Sequence, residues 1–274
     1  MNLIYWLFED FSSEKLLYLA VMEKLFFILA VAFLLSCTSI ERDSVCDEKS
    51  IYYNGCVGGV SSSSGSTQTI IPGPPISYMG ETYETVVIST QTWFKRNLNY
   101  AVTGSKCGNG STLSDTDTET CNTYGRLYNW ATAMAMPEGC NSGSCSSLMG
   151  AKHKGICPDG WHISNNADWD KLVRYANGIE SSYGTSTAGR YLKAASGWNS
   201  NGNGEDKYGF SALPGGHGDD YNGFQNVGGY GYWWSANEYS SYFAYYRTMS
   251  YSDELVDWDG HDKSNLYSVR CVMD

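Results

Sequence analysis

Eight of the nine cysteines in this 274-residue chain have a number and a spacing that suit disulfide chemistry. They are Cys46, Cys56, Cys107, Cys121, Cys140, Cys145, Cys157 and Cys271. Short loops close at little entropic cost, so Cys46–Cys56, Cys107–Cys121 and Cys140–Cys145 are the natural local bridges, which leaves Cys157 to pair with Cys271. Zinc binding is the alternative, but the chain has no Cys-x-x-Cys pair, and only His153 and His162 closely flank a cysteine.

The ninth cysteine, Cys37, follows a segment typical of protein export. Residues 25–35 (LFFILAVAFLL) are apolar throughout but fewer than the ~20 that a membrane-spanning helix needs, so they predict the core of a signal peptide. Residues 34–37 (LLSC) resemble the lipobox of bacterial lipoproteins, which implies lipidation of Cys37 as the first mature residue. Several acyl chains give a stable membrane anchor. Thr38 replaces the Asp associated with inner-membrane retention, so we expect attachment to the outer membrane, facing the periplasm or the cell surface. The alternatives are an uncleaved anchor or a buried cysteine.

Composition divides the chain into three parts. Residues 1–36 form the signal peptide, in which Met22 is an alternative start, because acidic residues precede it. Residues 37–76 form a tether, since they contain the Ser-rich segment 61–66 and the Pro-rich segment 72–75. Residues 77–274 form the folded domain.

The charge balance excludes one class of partner. The chain has 18 basic and 29 acidic side chains, a net charge of −11 and a pI near 4.8. Nucleic acids and anionic lipid surfaces need a basic surface, so neither is an expected partner. Aromatic residues make up 15% of the chain and charged residues only 17%, which argues against disorder and coiled coil.

The apolar patterns predict an α+β domain with antiparallel strands, two or three helices and long loops. A hairpin is expected at residues 82–88 and 91–94, and later strands at 231–235, 243–249 and 267–272. One helix is predicted at 125–134, with Leu127, Trp130, Ala131 and Met134 on its buried face. A second starts after Ser164 and Asn165 and buries Trp169, Leu172, Val173 and Ala176, and a third covers 188–195.

Catalytic spacings are absent from the sequence. No Gly-x-Ser-x-Gly elbow or Gly-rich phosphate loop occurs in a suitable context, and the four histidines His153, His162, His217 and His261 lack metal-ligand spacing. The acidic residues Asp219, Asp220, Asp253, Glu254, Asp257 and Asp259 could supply a glycosidase pair, but surface solvation explains them better. We therefore expect a protein that is not an enzyme.

One Asn-rich loop has a partial calcium-binding pattern. Asn199, Asn201 and Asn203 alternate before Gly204, as the oxygen ligands of a calcium loop do, and Asp206 follows. Phe210 stands where such a loop needs a bidentate Glu. An Asn-Gly turn is therefore the favoured interpretation, and Ca²⁺ is a weakly supported cofactor.

Residues 221–258 are crowded with aromatic side chains that could form a binding surface. Tyrosine provides rigid contact area and a hydroxyl, as in antibody loops. Core packing is the alternative, and it is favoured for Trp233 and Trp234, of which strand alternation should turn one inward. Tyr242, Tyr246, Tyr251 and Trp258 are flanked by Ser and Asp, so we expect these four to contact a ligand.

Several short motifs follow one another in a fixed order along the last two thirds of the chain, and together they show a family resemblance. They are residues 92–93 (TW), 97–100 (NLNY), 124–130 (YGRLYNW), 157–163 (CPDGWHI), 167–169 (ADW), 208–216 (YGFSALPGG), 233–235 (WWS) and 268–272 (SVRCV). Together they resemble the Fibrobacter succinogenes major paralogous domain family, over about residues 80–274. That family consists chiefly of secreted or surface proteins, often lipid-anchored, of undetermined function.

The resemblance implies a fold as well. The family is similar to the C-type-lectin-like fold, in the variant shared with formylglycine-generating enzymes, in which the first and last strands pair and a long loop region lies opposite. Such an arrangement agrees with a Cys157–Cys271 bridge. The catalytic cysteine pair of those enzymes and the sugar motifs of calcium-dependent lectins are absent from this sequence, so the fold alone does not transfer an activity.

Three functions fit these observations. The first is a non-catalytic module for adhesion or binding, with a polysaccharide or a surface protein as its partner. The second is a structural protein of the cell envelope without a discrete ligand, and the third is a glycan-active enzyme. Neutral sugars suit the aromatic and acidic loop region better than polyanions do.

The lipobox predicts how the protein is attached. Cys37→Ser should remove lipidation and move the protein from the membrane fraction to the soluble fraction, because the apolar segment alone is too short to hold it. Cell fractionation with palmitate labelling measures this, and Cys46→Ser serves as the control that stays with the membrane. Membrane retention of Cys37→Ser contradicts the prediction.

Overall fold

The computed structural model describes residues 69–109, 112–115, 119–177, 187–219 and 223–274, all within the compact unit Gly65–Asp274. The predicted signal peptide, Cys37, the Cys46–Cys56 bridge and most of the tether lie outside the described residues. Within those ranges, no helix combines the length and the apolar character needed to cross a membrane.

The first sheet contains five strands in the order β1-β2-β3-β12-β6. They are β1 (Ile71–Tyr78), β2 (Glu81–Ile88), β3 (Gln91–Phe94), β6 (Trp161–Ile163) and β12 (Cys271–Met273), and all pairs are antiparallel. The predicted hairpin is confirmed as β2 and β3. The expected domain start at Ser77 falls inside β1. The implied pairing of first and last strands is not found, because β1 lies at the sheet edge and β12 pairs with β3 and β6.

The second sheet carries the loop-rich half of the chain. Its order is β11-β10-β9-β7-β8, from β7 (Gly215–Asp219), β8 (Gly223–Val227), β9 (Tyr230–Glu238), β10 (Phe243–Ser250) and β11 (Asp257–Asp262). Only β7 and β9 are parallel among the described strand pairs of this sheet. The strands β4 (Cys107–Asn109) and β5 (Thr112–Ser114) form a small hairpin that is a separate two-stranded sheet.

Four α-helices accompany the sheets in the described residues: α1 (Glu119–Tyr124), α2 (Trp130–Ala133), α3 (Asn166–Asn177) and α4 (Ala188–Leu192). The second predicted helix is confirmed as α3, and Asn165 and Asp168 cap it by bonding each other's backbone N–H groups. The first predicted helix is wrong in extent. Asn129 is the N-cap of α2, because its side chain accepts a hydrogen bond from the Thr132 N–H, and the helix that follows has only one turn. Leu127 lies before the helix and forms a β-bridge with Lys106.

Two large hydrophobic clusters lie on opposite faces of both sheets. Neighbouring residues in a strand point to opposite faces, so Trp93 and Trp233 enter one cluster while Phe94 and Trp234 enter the other. All four side chains are fully buried. The core packing predicted for Trp233 and Trp234 is therefore confirmed, and both side chains turn inward rather than one because β9 has a core on each face.

Three disulfides connect these elements: Cys107–Cys121, Cys140–Cys145 and Cys157–Cys271. Loop length predicted the first two pairs, and elimination left the third. Cys107–Cys121 joins the β4 hairpin to α1, and Cys157–Cys271 joins β12 to the segment before β6. The last bridge spans 114 residues, so in a chain-entropy model it contributes about 4–5 kcal/mol to stability.

A fully buried arginine, Arg270, lies at the centre of the molecule. Its Nε and Nη2 donate to Oδ1 of Asn97 at 3.1 and 2.9 Å, and its Nη1 donates to the carbonyls of Phe94 and Phe210 at 2.9 and 2.7 Å. Burial lowers the pKa of Arg270 to about 9, and the charge of Asp206 opposes that effect. The guanidinium therefore keeps its charge at neutral pH.

Asn97 is the residue that orients this network. Its Oδ1 also accepts from Trp233 Nε1 at 2.7 Å, while its Nδ2 donates to the Tyr124 carbonyl and to Ser268 Oγ. One amide thus connects the end of β3 with α1, β9 and the segment before β12.

Removing that amide should strongly destabilise the domain. Asn97→Ala leaves Nε and Nη2 of Arg270, Nε1 of Trp233 and the Tyr124 carbonyl without the buried partner that Asn97 supplies, so we expect the free energy of unfolding to fall by about 3–5 kcal/mol. Urea denaturation with the disulfides intact measures the loss. Asn99→Ala is the control, because the Asn99 amide bonds only the partly exposed Glu81 and should cost less than about 1 kcal/mol. Equal losses in the two variants contradict the role of Asn97.

His162 links β6 to α3 and to the residue after β12. Its Nδ1 lies 2.8 Å from Asp274 Oδ1, and its Nε2 lies 3.1 Å from Asp168 Oδ2. Burial alone lowers the pKa of His162, but the hydrogen bonds and charges of Asp168 and Asp274 outweigh it and raise the pKa above its usual value. Because both ring nitrogens are engaged, this histidine holds structure together and has no nitrogen available as a catalytic base.

This raised pKa predicts a pH-dependent contribution to stability. The ion pairs of His162 should stabilise the fold fully below about pH 6.5 and lose effect as the pH rises through the raised pKa. The difference in unfolding free energy between wild type and His162→Gln should therefore shrink toward alkaline pH. His217→Gln is a control of opposite sign. Burial lowers the pKa of His217, so protonation of His217 should destabilise the wild type relative to this variant as the pH falls. A His162 difference that is constant or grows with pH contradicts this.

Candidate functional site

The four aromatic residues expected to contact a ligand do not share one surface. Tyr242 precedes β10 and Tyr251 follows it, so they flank opposite ends of that strand. Tyr246 packs against a core cluster, whereas Trp258 lies opposite Arg247 on the other face of the sheet. Strand alternation separates these faces, and the predicted single site is therefore wrong.

Two of the four residues lie on or beside an aromatic patch, defined here as Tyr239, Phe243, Tyr245 and Trp258. The ring centroids of Tyr239 and Tyr245 are 5.0 Å apart, and those of Tyr245 and Trp258 are 5.6 Å apart. Tyr239 is 52% exposed, Phe243 42% and Trp258 39%, and the adjacent Tyr242 is 60% exposed. The patch therefore offers several ring surfaces to solvent on one side of β10 and β11.

Two features below the rings fix this patch. The ring of Tyr239 covers Gly260, where a Cβ would lie 2.5 Å from a ring carbon, so only glycine permits this contact. The buried Arg247 lies beneath Trp258, with its guanidinium 6.0 Å from the ring centroid and 2.9 Å from Asp170 of α3. Burial lowers the pKa of Arg247, and Asp170 opposes that effect.

A buried ion pair holds the turn that carries Tyr239 and Tyr242. Lys263 is fully buried and donates to Glu238 Oε1 at 2.7 Å and to the carbonyls of Gly143 and Ser241. Burial raises the pKa of Glu238, but hydrogen bonds from Lys263 and from the Cys145 backbone N–H outweigh it and lower the pKa. The turn is thereby bound to the Cys140–Cys145 loop, and the patch has a rigid support.

The opposite face carries the other two predicted residues in a tyrosine row. The row consists of Tyr251, Tyr230, Tyr232, Tyr267 and Tyr246, in which each ring centroid lies within 6.3 Å of the next. Burial, reinforced by Tyr246 and Tyr230, raises the pKa of Tyr232 to about 12. The phenol of Tyr232 is therefore a neutral hydrogen-bonding group throughout the physiological range.

A polar cleft of about 550 Å³ opens at the Tyr251 end of this row. Its lining residues are Asn199, Ser200, Asn226, Val227, Gly229, Tyr230 and Tyr251. Asn199 and Tyr251 were singled out by sequence for different reasons, and the fold brings them together. Sequence reasoning missed Asn226 and Tyr230, because no spacing rule connects a turn residue to a loop far away in the chain.

Two of the four proposed calcium ligands, Asn203 and Asp206, have other partners in the structure. Asn203 Oδ1 accepts from the Trp198 N–H at 3.0 Å, and both carboxylate oxygens of Asp206 accept from Ser211. Asn199 and Asn201 are the first and last residues of a short 3₁₀ turn. These bonds use the oxygens that a cation would need, as expected of an Asn-Gly turn.

No group of three or more His, Cys, Asp or Glu side chains gathers around a possible metal position in the described part of the chain. His153 bonds the Met134 carbonyl and His261 contacts Asn265. His217 contacts Tyr232 edge to face, and the buried His217 Nδ1 has no hydrogen-bond partner. The site chemistry therefore rests on aromatic rings and amides.

The comparisons with known proteins agree with the sequence motifs. The family model of the Fibrobacter succinogenes major domain matches residues 86–273. No curated protein and no solved structure matches the chain. Because the family match covers more than half of the sequence, the chain belongs to the Fibrobacter succinogenes major domain family.

Proposed function

We propose that this domain is a non-catalytic module that binds neutral polysaccharide, displayed on the outer membrane through a lipid anchor at Cys37. The observation that carries the proposal is the aromatic patch. The rings of Tyr239, Phe243 and Trp258 are exposed, and the Tyr245 ring contacts those of Tyr239 and Trp258. Gly260 lies beneath the Tyr239 ring and Arg247 beneath the Trp258 ring. Aromatic faces pack well against the apolar faces of sugar rings, and they lose little conformational entropy on binding.

The charges around the patch favour a neutral ligand. Asp262 lies opposite Phe243 in the sheet, and Arg247 is buried and paired with Asp170. A polyanion would meet the Asp262 carboxylate, and the buried, paired Arg247 is not available to offset it. In this proposal the domain has a C-type-lectin-like fold that binds sugar without the calcium motifs of that fold.

The patch predicts which residues polysaccharide binding requires. Trp258→Ala and Tyr239→Ala should each weaken binding by about 1–2 kcal/mol, because exposed aromatic anchors dominate such contacts. Affinity electrophoresis in gels containing xyloglucan, arabinoxylan or mixed-linkage glucan measures the retardation of each variant. Tyr175→Ala is the matched control, since Tyr175 is 40% exposed but lies on α3.

Three outcomes contradict the proposal. Wild-type protein that is not retarded by any neutral polysaccharide favours envelope display without a ligand. Retardation that survives both patch variants places the contact elsewhere. Release of sugar from the polymer shows an enzyme.

A further inference from the structure

The geometry points to a second, separate binding site: the polar cleft takes one neutral sugar ring, without calcium. This inference goes beyond polysaccharide binding by the aromatic patch. The cleft includes Tyr251 at one end of β10, whereas Phe243 of the patch begins the other end. The two sites therefore use different residues on one strand.

Three chain segments build the cleft, and backbone hydrogen bonds hold them together. The turn between β8 and β9 accepts the Asn199 N–H at Gly228, at 2.8 Å, and the Tyr251 N–H at Gly229, at 2.9 Å. The 3₁₀ turn Asn199–Asn201 and the residue after β10 are thus fixed to the same turn. A cleft whose walls are bonded in this way is formed before any ligand arrives, which lowers the entropic cost of binding.

The chemistry of the lining residues selects a polyhydroxylated ligand. The side-chain amide of Asn199 offers donors and an acceptor, the Asn226 amide offers the groups that its hydrogen bond to Tyr232 leaves, and Ser200 adds a hydroxyl. Sugar hydroxyls also donate and accept, so neighbouring hydroxyls can pair with both atoms of an amide. Tyr230 and Tyr251 supply aromatic surface, with their rings edge to face at 6.3 Å between centroids.

The same lining excludes charged ligands. None of the seven lining residues carries a carboxylate, an ammonium or a guanidinium group. A carboxylated sugar or a phosphate would lose its hydration without gaining an opposite charge. The volume of about 550 Å³ lies within the usual range of small-molecule sites.

Two of the residues that line the cleft have a strained backbone. Ser200 has a φ of 49° and Asn226 a φ of 61°, both in the left-handed region that non-glycine residues rarely adopt. Such conformations persist where the surrounding structure imposes them, and they gather at ligand sites. Here they belong to the two residues that present an amide and a hydroxyl to the cleft.

Gly229→Ala is a variant that adds one methyl group to the wall of the cleft without disturbing the fold. A Cβ at this position would lie 3.5 Å from the Asn226 carbonyl oxygen and 3.6 Å from the Tyr251 ring, which are ordinary contacts. Gly229→Ala should therefore fold normally while occupying space that a sugar ring needs. Asn199→Ala complements it by removing an amide.

The experiment is amide NMR of the lipid-free domain titrated with methyl glycosides of glucose, galactose, mannose, xylose and N-acetylglucosamine, in EDTA. We expect at least one glycoside to shift resonances around Asn199, Asn226 and Tyr251. Gly229→Ala and Asn199→Ala should each raise the dissociation constant at least about fivefold. Tyr175→Ala, on α3, should leave it unchanged.

Several results overturn this inference. They are no shift with any glycoside, shifts confined to the aromatic patch, a requirement for calcium, or tighter binding of glucuronate than of glucose. Glycoside binding that is intact in Gly229→Ala also overturns it. Polymer retardation depends on Trp258 and Tyr239, so a failure of the cleft and a failure of the patch give different results.

Discussion

Arg270 is buried beside oxygen dipoles, and the described structure places none of its hydrogen bonds on a carboxylate. A buried charge is tolerated only when its donors meet well-oriented acceptors. Asn97 supplies that orientation, because its own amide is fixed by Tyr124 and Ser268. The end of β3, the approach to β12 and the middle of β9 must therefore assemble together around one guanidinium.

Other buried cations repeat this arrangement across the fold. Arg126 donates to the carbonyls of Ser105 and Asp115, and Lys193 donates to those of Ser250 and Asp253. Long loops contain many backbone carbonyls that no strand or helix pairs, and each needs a donor when it is buried. Lysine and arginine offer several donors on one long side chain. In this way a chain with only 17% charged residues can bury loops without leaving their backbone carbonyls unpaired.

The sequence predicts local features well and long-range features poorly. The hairpin of β2 and β3, helix α3 and the short disulfides Cys107–Cys121 and Cys140–Cys145 depend on residues close together in the chain, and the structure contains all of them. The proline-rich composition of residues 72–75 places most of the edge strand β1 in the predicted tether, up to residue 76. Pro74 and Pro75 in fact lie in the irregular part of the β1–β2 pairing, between Gly73 and Ile76, where an edge strand tolerates them. The misplaced ligand site has a related cause, since alternation assigns faces only after the pairing of β10 and β11 is known.

The two proposed sites follow from the same use of buried cations. Lys263 ties the turn of Tyr239 and Tyr242 to the Cys140–Cys145 loop, and Lys193 ties the chain after β10 to α4. Burial lowers the pKa of Lys193, and Asp253 and Glu254 oppose that effect. Each lysine fixes a loop that has no hydrophobic core of its own. The aromatic side chains of that loop are therefore held in place at the surface, and a ligand that binds them loses little free energy to ordering the loop. A loop-rich domain can in this way keep its large cores for folding and present separate aromatic surfaces at both ends of one strand.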